Sequence, residues 1–147
     1  MTHRVLLVDD AHDVRLLQRV VLEEAGFEVS EAPSGADALA HLSGCRMPDV
    51  VVLDVQMPDL DGWATLEAIR ADERTAPVPV ILCTVKAGDR DGARAWGSGC
   101  DGYLVKPFSI ARLVEEVRDV LGRSAEEREA LRRVRTAAYG PKGQADG

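Results

Sequence analysis

Residues 50–62 read Val50-Val51-Val52-Leu53-Asp54-Val55-Gln56-Met57-Pro58-Asp59-Leu60-Asp61-Gly62. Four apolar residues in a row, three of them β-branched, make a strand buried on both faces. A half-exposed strand would alternate instead. Asp54 closes the run, Pro58 and Gly62 mark a loop, and Trp63 to Ala71 follows as a helix. Strands buried on both sides belong to parallel sheets covered by helices, so this segment predicts an α/β fold. An unpaired acid at the end of such a strand is costly, so Asp54 needs a counterpart.

The same alternation extends in both directions. Val5-Leu6-Leu7-Val8 is a buried strand that runs into Asp9-Asp10. Asp13 can cap a helix carrying Val14, Leu16, Leu17, Val20, Val21 and Ala25, with Gly26 after its end. Phe27-Glu28-Val29 is a short strand, and Ser34 to Leu42 a short helix ended by Gly44. Downstream, Pro79 to Cys83 and Tyr103 to Val105 are strands. Between them lies a weak helix around Ala93–Trp96, with Gly88, Gly92, Gly97 and Gly99 nearby. Each helical glycine costs about 1 kcal/mol against alanine. Ile110, Leu113, Val114, Val117, Val120 and Leu121 form a helical stripe. Strand and helix thus alternate five times within residues 1–122. In such sheets the crossovers are right-handed, and ligands sit beyond the carboxyl ends of the strands.

The chain has 147 residues, 46% hydrophobic and 29% charged. That is enough for one domain with its own core, which argues against disorder and repeat architectures. No apolar run reaches the ~20 residues of a membrane span. The start, MTHRVLLVDD, lacks the apolar core and cleavage site of a signal peptide. Cys45, Cys83 and Cys100 have no metal spacing and are expected as small packing residues in a reducing cytoplasm. Residues 1–122 carry 12 Lys/Arg against 21 Asp/Glu, whereas residues 123–147 carry 6 against 4. An acidic body repels phosphates, so neither nucleic acid nor a membrane is an expected partner. After Gly122, Ser124 and Glu127 form a capping box for a helix over 125–138 with Leu131, Val134 and Ala138 on one side. The last residues, GPKGQADG, read as a flexible polar tail. The expected organisation is a domain over 1–122 and a helical extension over 123–147.

The strand ends carry the chemistry. Asp9 and Asp10 follow the first strand, Asp54 ends the third, Thr84 follows the fourth, and Lys106-Pro107 follows the fifth. If these strands are neighbours, three carboxylates, a hydroxyl and an ammonium share one rim. Crowded carboxylates repel, and a hard divalent cation relieves them. Oxygen ligands suit Mg²⁺, with Mn²⁺ as an alternative. Such a site neutralises a transferring phosphoryl group, with one carboxylate as nucleophile.

The motifs LLVDD, VVLDVQMPDLDG, ILCT and GYLVKPF, in that order over residues 4–121, resemble the receiver domain of two-component response regulators. The resemblance implies a flavodoxin-like (βα)5 fold with strand order 2-1-3-4-5. It implies that Asp54 accepts phosphate from a sensor histidine kinase or phosphotransfer protein. Asp10 would bind Mg²⁺ directly, Asp9 largely through water, and Gln56 through its backbone carbonyl. Thr84 and Lys106 would engage phosphoryl oxygens, and Tyr103 would turn inward as Thr84 moves. It implies a cis Lys106-Pro107 bond. The surface of the fourth helix, fifth strand and fifth helix would bind a downstream protein or a second copy. Asp59 and Asp61 are expected in turn and cap rather than at metal, and Trp63 and Trp96 as packing residues. Val85 departs from the small residue usual after the switch threonine. A haloacid-dehalogenase-type phosphatase would need an acid two residues after the nucleophile, where Gln56 stands. The remaining alternatives are a degenerate receiver that only docks, or the front part of a longer regulator; a stand-alone phosphorylation switch is the favoured expectation.

Overall fold

The computed structural model describes residues 2–44, 46–85 and 88–146, without the side chains of residues 89 and 139–146. Cys45 therefore lies outside the described residues. The elements are β1 (Arg4–Val8), α1 (His12–Glu24), β2 (Glu28–Ala32), α2 (Gly35–Leu42), β3 (Val50–Asp54) and α3 (Gly62–Ala71). They continue with β4 (Val80–Thr84), α4 (Asp89–Gly97), β5 (Gly102–Val105), α5 (Ile110–Leu121) and α6 (Ala125–Asp146). The five strands form one parallel sheet in the order β2-β1-β3-β4-β5, as the resemblance implied.

Strand alternation divides the core in two. Leu6, Val8, Val51, Leu53, Val80 and Leu82 point to one face, where they meet Leu66 and Ile69 of α3 and Ala95 and Trp96 of α4. Val5, Leu7, Val50, Val52, Ile81 and Cys83 point to the other, against Leu22 of α1 and Leu113, Val117 and Val120 of α5. Each large apolar side chain buried this way contributes about 1.5–3 kcal/mol. Burial also pushes the Cys83 thiol up to about 12, so it serves as inert packing.

Helix ends follow their local chemistry. Ser34, Asp61 and Ser109 each accept a hydrogen bond from a backbone N–H of the first turn of α2, α3 and α5. The expected capping box is present: Ser124 N–H donates to Glu127 Oε1 at 2.9 Å, and Glu127 N–H to Ser124 Oγ at 3.1 Å. Asp59 sits in the turn with φ of 64°, a conformation that aspartate tolerates better than most residues.

Four expectations are corrected. Asp13 does not cap α1; it lies in the first turn, and Ala11 stands at the cap without a side-chain bond. Most of the apolar stripe expected on α1 does not face the core. Val14, Leu16, Leu17 and Val20 are exposed, while Arg15, Gln18 and Leu22 are buried. Arg15 fits there because its charge is met: Nη1 donates to the Asp9 carbonyl at 2.6 Å and Nε to Glu31 at 3.1 Å. Third, only Leu131 of the predicted stripe on α6 packs inward; Val134 is 65% exposed and Ala138 is exposed too. Charged contacts, described below, set the orientation of that helix instead. The flexible polar tail expected over the last residues, GPKGQADG, is the fourth: the backbone of α6 continues to Asp146 instead. Among the described residues no helix is long and apolar enough to cross a membrane.

Candidate functional site

The strand order makes β1, β3, β4 and β5 successive neighbours, and their register brings their ends level. Val8 pairs with Leu53, Asp54 with Cys83, and Thr84 with Val105. Two backbone bonds extend this past the sheet: Val55 N–H donates to the Cys83 carbonyl at 2.9 Å, and Lys106 N–H to the Thr84 carbonyl at 2.7 Å. The rim therefore gathers Asp9, Asp10, Asp54, Thr84 and Lys106, as the strand-end reading expected. The Lys106-Pro107 peptide is cis.

One carboxylate oxygen each from Asp9, Asp10 and Asp54 lies within 4.8 Å of the others. Asp9 and Asp54 are buried and Asp10 is exposed. Lys106 Nζ lies 3.1 Å from Asp54 and 3.5 Å from Asp9. Asp9 has a second task, since its Oδ1 accepts from the Ala11 N–H at 2.9 Å and fixes the turn into α1. Gln56 is exposed and gives Asp54 a backbone hydrogen bond. Thr84 is fully buried, and Tyr103 is half-buried against the α3–α4 side of the core. Gly62 is required for close approach: a Cβ there would fall 2.5 Å from the Asp54 carbonyl oxygen and from Val55 Cα. This lets α3 start directly beside the loop that carries Gln56.

Burial raises the Asp54 carboxyl above its ordinary value; the Lys106 hydrogen bond opposes this and the Asp9 charge adds to it. For Lys106, burial favours the neutral amine, yet the hydrogen bond and charge of Asp54 outweigh it and raise the ammonium further. One cation against three crowded carboxylates leaves the site short of positive charge. The donors are all hard oxygens, with room on the exposed Asp10 side, so the residues fit a divalent cation of the Mg²⁺ type.

A pH consequence follows for the metal-free protein. A carboxyl raised on folding favours the folded state below the unfolded carboxylate value, near pH 4, and that stability is lost as pH rises through the raised value. Asp54→Asn removes the penalty, so the metal-free Asp54→Asn protein should melt at a higher temperature than wild type at pH 7 and lose the advantage near pH 4. Melting curves across that range check this.

Several contributors carried no sequence signal. Arg15 steadies the Asp9 turn from inside α1. Arg94 of α4 stacks over Trp63 of α3 at 4.3 Å. Asp101 gathers Arg70, Arg128 and Arg132. The partners of Arg94 and Asp101 lie about 30 residues away in the chain, too far for spacing to reveal them.

Comparison with known proteins agrees with this geometry. The response regulator receiver domain family matches residues 5–118. The transcriptional regulatory protein PrrA of Mycobacterium leprae is 43% identical over 120 residues, 82% of this chain and 50% of its own. The polar-differentiation response regulator DivK of Brucella ovis is 33% identical over 122 residues, 83% of this chain and 98% of its own. This chain thus spans about half the length of PrrA and nearly all of DivK. Among solved structures, the chemotaxis response regulator CheY4 of Vibrio cholerae superposes with a TM-score of 0.76 at 31% identity, covering 82% of this chain and 99% of that one. With its family model, strand order and acid rim in agreement, the chain belongs to the response regulator receiver domains, the phosphoacceptor switches of two-component signalling.

Proposed function

We propose that Asp54 is the phosphoacceptor and that this chain catalyses its own phosphorylation and dephosphorylation. The observation that carries the reading is the convergence of Asp9, Asp10 and Asp54 within 4.8 Å beside the Lys106 ammonium. The donor is the phosphohistidine of a sensor kinase or phosphotransfer protein. An Asp54 oxygen forms the new P–O bond while the donor P–N bond breaks, its electron pair returning to the imidazole. Lys106 passes from the carboxylate to a phosphoryl oxygen, and the Thr84 hydroxyl takes another. Asp9, Asp10, Asp54 and the Gln56 carbonyl would hold Mg²⁺ or Mn²⁺, which supplies positive charge against the transferring oxygens. In hydrolysis a water oxygen bonds to phosphorus as the Asp54 O–P bond breaks, which releases inorganic phosphate and restores the carboxylate.

The receiver unit is residues 1–122, and 123–147 is its extension. Cytoplasmic residence belongs to the same proposal, because the kinase makes its phosphohistidine from ATP there. Val14, Leu17, Val85, Phe108 and Ile110 line an apolar hollow that Lys106 borders. Its apolar lining beside Lys106, which contacts Asp54, supports a role in docking the phosphohistidine donor. The face of α4, β5 and α5, with Tyr103 as its switch residue, is the proposed output surface for a downstream protein or a second copy. The test is intact mass after incubation with acetyl phosphate: one phosphoryl group gained with Mg²⁺ and none with EDTA supports the reading. Equal labelling in both would defeat the metal assignment.

Val85 tunes this chemistry. It is 56% exposed and lines the same hollow as Lys106, so it is a rim residue rather than part of the core. A β-branched side chain there is stiff and narrows the approach of donor and of water. Val85→Ala should be labelled faster by acetyl phosphate and lose its phosphate sooner, with stability changed by less than about 0.5 kcal/mol. Decay half-life and melting temperature, measured together, check both statements.

A further inference from the structure

Helix α6 lies along α4, held by charge as well as packing. Asp101, just before β5, has a side chain only 1% exposed. Its Oδ2 accepts from Arg70 Nη2 and from the Val80 N–H, both at 2.9 Å. Its Oδ1 faces α6, where it accepts from Arg132 Nη1 and has Arg128 Nε at 3.9 Å. Leu131 packs on the cluster that contains Ala95, Trp96 and Cys100. The Arg135 guanidinium lies over the Trp96 ring, 5.7 Å from its centroid. Residues 128, 131, 132 and 135 are spaced by three and four, so one face of α6 makes every one of these contacts.

The helix they grip is weak by itself. Helix α4 begins after Gly88 without a side-chain cap bond, and Gly92 and Gly97 lie within it. Its other flank reaches the acid rim. Arg94 stacks on Trp63, which lines a cleft with Val55 and Gln56, the residues next to Asp54. Arg94 and Trp96 are two residues apart on one helix. A shift of α4 that follows the pocket through Arg94 therefore also moves Trp96 relative to Arg135 and Leu131.

We propose that α6 is a clamp on α4 whose docking opposes loading of the Asp54 pocket. Filling the pocket loosens α6 and uncovers the α4 face for a partner; loosening α6 makes the pocket easier to fill. The proposal rests on the reading of Asp54 as phosphoacceptor. Such coupling is reciprocal, the same factor acting in both directions, and it needs only that the loaded pocket prefer one position of α4. The ion cluster suits a release device. When α6 leaves, Asp101 keeps Arg70 and the Val80 N–H, so no buried charge is orphaned and the body stays folded.

Hydrogen exchange on the full chain tests this, with Mg²⁺ present and beryllofluoride added as a phosphoryl mimic. Exchange over residues 125–138 should quicken as residues 50–56 become protected. Arg132→Ala and Arg135→Ala should each quicken exchange over 125–138 without the mimic. Each should also lower the half-saturating beryllofluoride concentration, by about five-fold for a typical coupling. Arg135→Ala, which touches no buried charge, keeps the test open should Arg132→Ala fail to fold. Protection at 50–56 with α6 unchanged or slowed, and with unshifted half-saturation in the variants, overturns the clamp and leaves the phosphoacceptor reading standing. No protection at 50–56 in the wild type overturns that reading, and the clamp with it.

Discussion

Asp54→Asn protein incubated with acetyl phosphate and Mg²⁺ should gain no phosphoryl mass under conditions that label the wild type fully. The substitution keeps the shape of the side chain and removes the nucleophilic oxygen, so the loss should be complete rather than graded. Its fold should survive, because a carboxyl that burial already drives toward its neutral form loses little when made an amide. The higher melting temperature expected of the metal-free Asp54→Asn protein at pH 7 is the internal control: a variant that is unlabelled yet more stable has lost chemistry, not structure. Labelling at the wild-type rate would move the acceptor elsewhere.

The largest stability effect is expected at the opposite end of the sheet. Asp101→Ala leaves the half-buried Arg70 guanidinium without its counter-charge, the Val80 N–H without its acceptor, and Arg132 without its anchor. Breaking a buried pair from one side costs about 3–5 kcal/mol, which for a chain of this size lowers the melting temperature by roughly 10 °C or more. Arg132→Ala should cost about 1 kcal/mol or less, because Arg70 still pairs with Asp101. Urea denaturation of the two variants side by side checks the contrast. Equal costs would mean that α6, rather than Arg70, carries the stabilisation.

Most of the sheet was legible in the chain because its strands are buried on both faces, so composition alone marked them. The rim was legible because a parallel sheet must present its strand ends together, and Asp9, Asp10, Asp54, Thr84 and Lys106 stand at those ends. What stayed hidden has a common physical cause. The inner side of α1 is filled by Arg15 and Gln18, whose burial depends on partners such as Glu31 that lie elsewhere in the sequence. A hydrophobic pattern cannot report a buried face built from satisfied charges. The orientation of α6 was hidden likewise: of its expected apolar stripe only Leu131 lies on the inner face, which its arginines, meeting Asp101 and Trp96, complete. The cap of α1 was misread because Asp13 has the right chemistry two residues too late, while the Asp9 side chain binds the Ala11 N–H instead.

The chain has two tryptophans, and each carries an arginine over its ring: Arg94 on Trp63 beside the acid rim, Arg135 on Trp96 beneath α6. Indole emission responds to the charge and solvent around the ring, so the protein holds two intrinsic optical reporters on the two flanks of α4. Trp96→Phe leaves a form whose fluorescence follows the metal and phosphoryl pocket. Trp63→Phe leaves one whose fluorescence follows the C-terminal helix. Stopped-flow traces of the pair would time the two events separately, in the native chain and without any attached dye.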